Sequence, residues 1–168
     1  MITPDRALHI LRDEGCSEKV IAHCIAVSEY ATEIAEKLVA SGKNVDVELV
    51  TIGSLLHDLG RSRSHGIDHA VIGASIAAQS ALDPAVVNII KKHIGAGITI
   101  EEAKELGLPE DDYMPFTIEE KIVAHADNFT SSDTRITMHK LMEKLHKRHV
   151  SDESIARTIA LAEEIGIY

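Results

Sequence analysis

The stretch Leu55-Leu56-His57-Asp58-Leu59-Gly60-Arg61 places an imidazole beside a carboxylate at the end of an apolar segment. Burying two polar side chains in a helical core costs free energy unless both have partners. A metal ion would satisfy both groups at once, because neutral imidazole and carboxylate together suit Mn, Fe, Ni, Co, Zn or Mg. The stretch therefore predicts an apolar helix that ends at a polar site, with a metal ion as one explanation of the pair.

On both sides of this pair, apolar residues recur at helical spacing between cap and stop signals. No alternating apolar and polar run bounded by hairpin turns supports a strand. We expect an all-α, single-domain helical bundle over residues 1–168, with a motif-bearing core at about 18–130 and carboxyl-terminal helices at about 134–166. The predicted helices run from Thr3-Pro4 to Gly15, from Ser17 to Gly42, from Asp46 into His57, from Asp68 onward, from Asp83-Pro84 to His93, from the capping boxes Thr99-x-x-Glu102 and Thr117-x-x-Glu120, from about Thr134, and from Ser151 to Gly166.

Composition narrows the classes of partner. The 168 residues include 17 basic and 27 acidic ones, and the net charge of -10 opposes broad electrostatic capture of nucleic acid or anionic membrane. No apolar run is long enough for a membrane span and the amino end lacks a signal-peptide profile, so we expect a cytoplasmic protein. Cys16 and Cys24 fit neither a redox pair nor a zinc knuckle and are expected to be buried free thiols. The sequence is also compatible with a homo-oligomer.

Two further residues are candidate partners for the His57-Asp58 pair. His23 lies in an apolar stretch of the second helix, and Asp127 lies near the end of the seventh. Taken singly, His23 could be a core histidine bonded to a carbonyl, and Asp127 a helix-end residue bonding locally. Their order on separate apolar helices favours a shared site, since packed helices can present side chains to one point.

The order His23 … His57-Asp58 … Asp127 resembles the metal-binding pattern of the HD-domain superfamily of metal-dependent phosphohydrolases. The string at residues 57–60 is similar to the HDIG variant of that family, with Leu in place of Ile. Residues 68–74 also resemble the His-x-x-x-Gly-Ala helix that follows in many members. The similarity covers roughly residues 18–130, and the last forty residues carry no motif that we can place.

The resemblance implies a role for each matching residue. His23, His57, Asp58 and Asp127 match the ligands of a first divalent ion. His69 and His93 match the positions at which dinuclear members hold a second ion, with Asp58 bridging. The alternative to a metal-binding role is that His69 faces solvent and that His93 is placed favourably at a helix end. The cofactor is then one or two divalent ions, and the reaction is hydrolysis of a phosphate monoester or phosphodiester in a small phosphorylated substrate such as a nucleotide.

Four cations near these positions are candidates for binding phosphate. Arg61 and Arg63 follow the His-Asp pair, and Lys91 and Lys92 precede His93. Guanidinium and ammonium groups bind the non-bridging oxygens of phosphate, and Arg61 with Asp58 forms the expected catalytic pair. The competing interpretation is that these cations are solvated surface charges.

Several alternatives remain open at this point. The same ligand set would serve a diiron oxygenase, and a small domain could also be a non-catalytic module that senses a metal or ligand. The resemblance reaches no subclass, because residues 59–61 lack the acidic residues of the guanosine-tetraphosphate hydrolases and the small nucleotidases. Residues 92–97 likewise lack the Gly-Tyr-Pro signature of the cyclic-dinucleotide branch. The basic run at 140–148 is interpreted as the solvated side of a helix rather than a nucleic-acid face.

Overall fold

The structure, a computed structural model, describes residues 1–166, and within that range it contains nine α-helices and one short hairpin. The prediction of an all-α fold is confirmed. A 3₁₀ turn at Leu59–Ser62 follows the third helix, and the hairpin follows the seventh. The elements are α1 (Pro4–Asp13), α2 (Glu18–Ala40), α3 (Val47–Leu56), α4 (His69–Gln79), α5 (Pro84–Lys92), α6 (Ile100–Glu105), α7 (Ile118–Asn128), β1 (Thr130–Ser131), β2 (Thr134–Arg135), α8 (Met138–Lys147) and α9 (Asp152–Ile165).

Every α-helix except α4 begins after a residue whose side chain accepts a hydrogen bond from the backbone of the first turn, whereas the side chain of Asp68 before α4 does not. Both predicted capping boxes are confirmed: the hydroxyl groups of Thr99 and Thr117 accept from the backbone N–H of Glu102 and Glu120, and each glutamate accepts from the backbone N–H of its threonine. Each box satisfies two of the backbone donors that a helix leaves free at its amino end. At the other end of the chain, Gly166 ends α9 in the left-handed conformation, with a φ of 68°.

The start predicted for the basic helix is wrong. Thr134 lies in β2, and Thr137 caps the helix instead, because its hydroxyl accepts from the backbone N–H of Lys140. Residues 130–135 form an antiparallel hairpin with two residues in each strand. Strands this short carry too little alternation to be recognised in the sequence. Their turn residue Ser132 takes a positive φ of 56° and enters the site described below.

Within residues 1–166 the core consists of three hydrophobic clusters, and the two larger ones both include residues of α3. One joins residues of α2, α3, α5, α7, α8 and α9, and the other joins α1 with α2, α3, α4 and α5. Ile52 and Leu56 of α3 are fully buried, and each such side chain contributes about 1.5–3 kcal/mol to folding. Cys16 and Cys24 are both buried and free, as predicted. The carboxyl end of α3, where His57 follows, is therefore enclosed in the core.

Across residues 1–166, no helix combines the length and apolar content that crossing a bilayer requires.

Candidate metal centre and its cavity

The His57-Asp58 pair lies where α3 ends and the 3₁₀ turn begins. His57 is completely buried, and its Nδ1 lies 2.6 Å from the backbone carbonyl of Ser54. This hydrogen bond makes Nδ1 the protonated nitrogen and leaves the lone pair on Nε2. Nε2 is buried and has no hydrogen-bond partner within residues 1–166. A buried acceptor without a partner is rare in proteins and calls for a ligand at that position.

A close backbone contact between two glycines holds the pair against α4. A Cβ atom on Gly60 would lie 1.9 Å from the carbonyl oxygen of His69 and 2.6 Å from the backbone nitrogen of Gly73. A Cβ atom on Gly73 would in turn lie 2.8 Å from the backbone nitrogen of Gly60. Only glycine permits this approach, which brings the start of α4, and therefore His69, next to Asp58.

His69 and His93 enter the site from α4 and from the end of α5. Their Nδ1 atoms lie 2.7 Å from the carbonyl oxygens of Gly66 and Ile90, respectively. In the neutral rings both Nε2 atoms therefore carry lone pairs, yet these two atoms lie only 3.1 Å apart. Two lone pairs at this distance repel each other unless a cation or a proton lies between them.

His23 and Asp127 complete the cluster from α2 and α7. The Nδ1 atom of His23 lies 2.6 Å from the carbonyl oxygen of Ser132, in the turn of the hairpin. Its Nε2 atom lies 2.9 Å from Oδ1 of Asp127, and the same oxygen lies 3.5 Å from Nε2 of His57. The hairpin thus orients His23 in the way that the carbonyls of Ser54, Gly66 and Ile90 orient the other three rings.

The two oxygens of Asp58 face different parts of the cluster. Oδ1 lies 3.1 Å from Nε2 of His69 and 3.5 Å from Nε2 of His93. Oδ2 lies 3.9 Å from Nε2 of His23 and 3.8 Å from Nε2 of His57. The six side chains therefore form two groups of donor atoms that share one carboxylate.

The electrostatics of the cluster favour ionised carboxylates and act in opposite directions on two of the rings. Burial opposes ionisation of Asp58, but the rings of His57, His69 and His93 hold its pKa well below the ordinary range. The pKa of Asp127 is also lowered, because His23 and His57 outweigh the effect of burial. Burial lowers the pKa of His93 and so keeps its ring neutral. Burial also disfavours a charged His57, but the adjacent Asp58 outweighs this effect and raises its pKa.

The donor set fits a divalent metal ion. Metal–ligand bonds of about 2.0–2.2 Å place neighbouring ligand atoms roughly 3–3.5 Å apart, and most of the distances above fall close to this range. Histidine ligands usually donate their other N–H to a carbonyl or carboxylate, as all four rings do here. Three overlapping sets of three residues have ligand atoms close enough to hold one ion: His23 with His57 and Asp58, His57 with His93 and Asp127, and Asp58 with His69 and His93.

The cluster lies at the wall of a cavity of about 860 Å³. Its walls include Lys19, Arg61, Lys144 and Arg148, so four cations face the volume above the cluster. Lys144 lies in α8 and Arg148 caps the end of that helix, both in the last forty residues, where no motif was recognised. The signal available in the sequence was spacing: Lys19 precedes His23 by four residues and Lys144 precedes Arg148 by four, which places each pair on one helix face.

Of the four cations predicted to bind phosphate, the structure brings one to the cavity. Arg61 lines it and donates from Nε to Asp58, 3.2 Å away. The other three point elsewhere, because acidic residues that are remote in sequence hold them in ion pairs. Arg63 binds Glu14 at 2.8 Å, Lys91 binds Asp111 at 2.9 Å, and Lys92 lies 3.4 Å from both Asp112 and Glu120.

The sequence was compared with models of known protein families. The sequence model of the HD domain matches residues 20–132, which include all six side chains of the cluster. The chain belongs to the HD-domain family. The resemblance identified from the sequence is thereby confirmed.

Relatives of this HD domain differ in length and in name. An uncharacterised protein of Methanocaldococcus jannaschii is 52% identical over 163 residues, and the match covers 96% of each chain. The tRNA (cytidine(56)-2'-O)-methyltransferase of Thermoplasma volcanium is 46% identical over 160 residues, which are 93% of this chain but 46% of that protein. A ribonuclease Y of Thermosipho melanesiensis is 29% identical over 148 residues and is matched over 25% of its length. The chain thus spans less than half of the methyltransferase and a quarter of the ribonuclease.

Solved structures share the fold of this HD domain. The HD domain of the phosphodiesterase PgpH of L. monocytogenes, in complex with cyclic-di-AMP, superposes with a TM-score of 0.60 at 18% identity. The match covers 97% of both chains. A second structure of the same domain gives a TM-score of 0.56 at 19% identity. At these identities the likeness concerns the fold.

Proposed function

We propose that this HD domain is a metal-dependent phosphohydrolase that cleaves a phosphate monoester or phosphodiester of a nucleotide. The observation that carries the proposal is the convergence of four imidazole Nε2 atoms and two carboxylates in one cluster, of which every side chain except the fully buried His57 lines the same cavity. Buried lone pairs without donors have a chemical purpose at a metal centre and are costly elsewhere.

The proposal assigns the cluster to two ions. His23, His57, Asp127 and Oδ2 of Asp58 would hold one ion, and His69, His93 and Oδ1 of Asp58 would hold the other. The supporting geometry is the division of the Asp58 oxygens, since each lies within 4 Å of a different pair of rings. Mn, Fe, Ni, Co, Zn and Mg all accept such nitrogen and oxygen donors.

A divalent ion at such a site lowers the pKa of a bound water and polarises a phosphoryl oxygen. The contribution of the chain is to fix the donor atoms and to bind the substrate. The carbonyls of Ser54, Gly66, Ile90 and Ser132 lock the four rings with Nε2 facing inward.

Arg61 is the residue best placed to bind the phosphoryl group. Its Nη1 donates to the carbonyl of His65, and its Nε donates to Oδ1 of Asp58 at 3.2 Å. These two hydrogen bonds hold the guanidinium at the cavity wall. Its Nη2 makes no hydrogen bond within residues 1–166 and is available to a phosphate oxygen. A guanidinium held in this way loses little conformational entropy on binding, and its positive charge attracts the negative charge of the phosphate.

The relatives support a nucleotide phosphodiester as the substrate class. One group is named ribonuclease, and the protein of similar fold is a phosphodiesterase in complex with a cyclic dinucleotide. The name methyltransferase belongs to proteins of which this chain matches less than half, so we assign that activity to the part of those proteins outside the match.

The experiment is elemental analysis of the purified protein, followed by a panel of nucleotides and phosphodiesters with each candidate ion added back. We expect about two equivalents of metal and release of a phosphate group or nucleotide. Asp58→Ala should lose metal and activity together, because it removes the carboxylate that both groups of donors share. Asp5→Ala, at an exposed position of α1, is the matched control and should change neither.

Three results would contradict the proposal. Full metal content in Asp58→Ala would refute the ligand assignment. Consumption of oxygen by iron-containing protein, with no hydrolysis across the panel, would favour the diiron oxygenase. Tight metal binding without either activity would favour a metal-sensing module.

A further inference from the structure

The wall of the cavity contributed by α2 and α8 carries cations that no carboxylate of the described chain neutralises. Lys19, Lys144 and Arg148 line the cavity, and none of them forms an ion pair or a side-chain hydrogen bond within residues 1–166. Arg61, in contrast, already binds Asp58. Lys19, Lys144 and Arg148 are called the distal cations below.

Lys144 differs from an ordinary surface lysine. It is half-buried, and burial lowers its pKa, although the carboxylate of Asp127 acts in the opposite direction. Arg148 is close enough to lower the same pKa further. Arg148 is exposed, but its charge still repels that of the half-buried Lys144, so an anion between the two would stabilise the arrangement.

The other lysines of α8 show what the solvated side of this helix looks like. Lys140 and Lys147 are exposed and do not line the cavity, and Lys140 lies 3.3 Å from Glu143. Lys144 and Arg148 are one helical turn apart, which directs both of them toward the cavity. The basic run of α8 therefore has a solvated side and a side that faces the candidate metal centre.

The acidic residues of the cavity do not cancel the distal cations. Asp58 and Asp127 belong to the metal cluster, and Glu102 is held by Arg157 at 2.7 Å. Glu105 is exposed and is the remaining acidic side chain in the described lining. With a volume of about 860 Å³, the cavity is at the upper end of the range for small-molecule sites, roughly 300–1,000 Å³, and holds more than one phosphate group.

We propose that the distal cations form a second phosphate subsite, so that the substrates carry at least two phosphate groups, one at the metal cluster and one against α8. This inference rests on the proposed function for the first phosphate. All three distal cations lie outside the residues 20–132 that the family model matches.

The test compares two ligands that cannot be hydrolysed, because their phosphorus atoms are bonded to carbon: propylphosphonate and propane-1,3-diphosphonate. Isothermal titration of the metal-containing protein should give at least about tenfold tighter binding of the diphosphonate. The double variant Lys144→Gln with Arg148→Gln keeps the side-chain stems and should lose that preference, with metal content unchanged. The control double variant, Lys140→Gln with Lys147→Gln, also removes two positive charges from this part of the chain and should keep the preference for the diphosphonate.

Equal affinity of the unaltered protein for the two ligands would overturn the subsite, and this measurement needs no variant to fold. Retention of the preference in the Lys144→Gln, Arg148→Gln protein would also overturn it, since both groups would then bind at the metal cluster. A preference that depends on α8, in a protein that hydrolyses nothing in the panel, would sustain the subsite and refute the proposed function. Hydrolysis of a compound in the panel, by a protein that does not prefer the diphosphonate, would sustain the proposed function and refute the subsite.

Discussion

Replacing Gly60 with alanine tests whether the contact between the 3₁₀ turn and α4 builds the metal centre. The new Cβ atom would lie 1.9 Å from the carbonyl oxygen of His69, whereas Cβ contacts under 3.0 Å are essentially never seen. The gap must therefore open by about 1 Å, and the obstructing atoms are backbone. Such overpacking costs about 3 kcal/mol, which lowers the melting temperature of a domain of this size by about 6–12 °C.

The same displacement should damage the site. His69 moves with the start of α4, and its Nε2 lies 3.1 Å from Oδ1 of Asp58, while metal–ligand distances tolerate changes of only about 0.2 Å. We expect Gly60→Ala to lose metal as well as stability, measured by thermal unfolding and elemental analysis. Gly66→Ala is the matched control, because its Cβ would meet the end of the Asp68 side chain, which can rotate away. A Gly60→Ala protein with unchanged melting temperature and metal content would refute the reasoning.

Three further predictions concern individual side chains. His69→Ala should lower the metal content from two ions to one, since it removes a donor from only one of the two groups; unchanged content by elemental analysis would count against a dinuclear site. Arg61→Ala should raise KM with metal unaffected, because its guanidinium binds phosphate, and steady-state kinetics showing the same KM would place it outside substrate binding. Burial raises the pKa of Cys16 to about 11 from an ordinary 9.0, so its thiol is harder to ionise in the folded state than in the unfolded one. Its contribution to stability should be complete below pH 9 and decline toward pH 11, and a Cys16→Ala protein that shows the same decline in denaturant titrations would contradict this.

The histidines and aspartates of the cluster could be predicted from the sequence because helical periodicity constrains them. His57-Asp58 ends an apolar helix, and His23 and Asp127 lie on apolar faces of two others, so packing of the core brings them together. The resemblance to the HD-domain family added His69 and His93. The positions of these six depend on core packing, which the pattern of apolar residues determines.

The hairpin and the cavity wall depend on features that the sequence pattern does not carry. The carbonyl of Ser132 reaches His23 through a two-residue turn with a positive φ, which neither alternation nor a turn motif marks. Arg63 and Lys91 bind Glu14 and Asp111, which are 49 and 20 residues away, so their orientation follows from tertiary contacts.

The distal cations were missed for a related reason. Lys144 belongs to a basic run whose solvated and cavity-facing sides look alike in the sequence. The docking of α8 decides which lysines face the site, and that docking depends on Leu141, which is buried in the core.

The most direct test of the metal centre is anomalous diffraction from crystals of the protein grown with Mn²⁺. We expect two peaks, one among Nε2 of His23, Nε2 of His57 and Asp127, and one between His69 and His93, with Asp58 contacting both. A structure in which these rings hold no ion, or in which the ion binds away from Asp58, would contradict it.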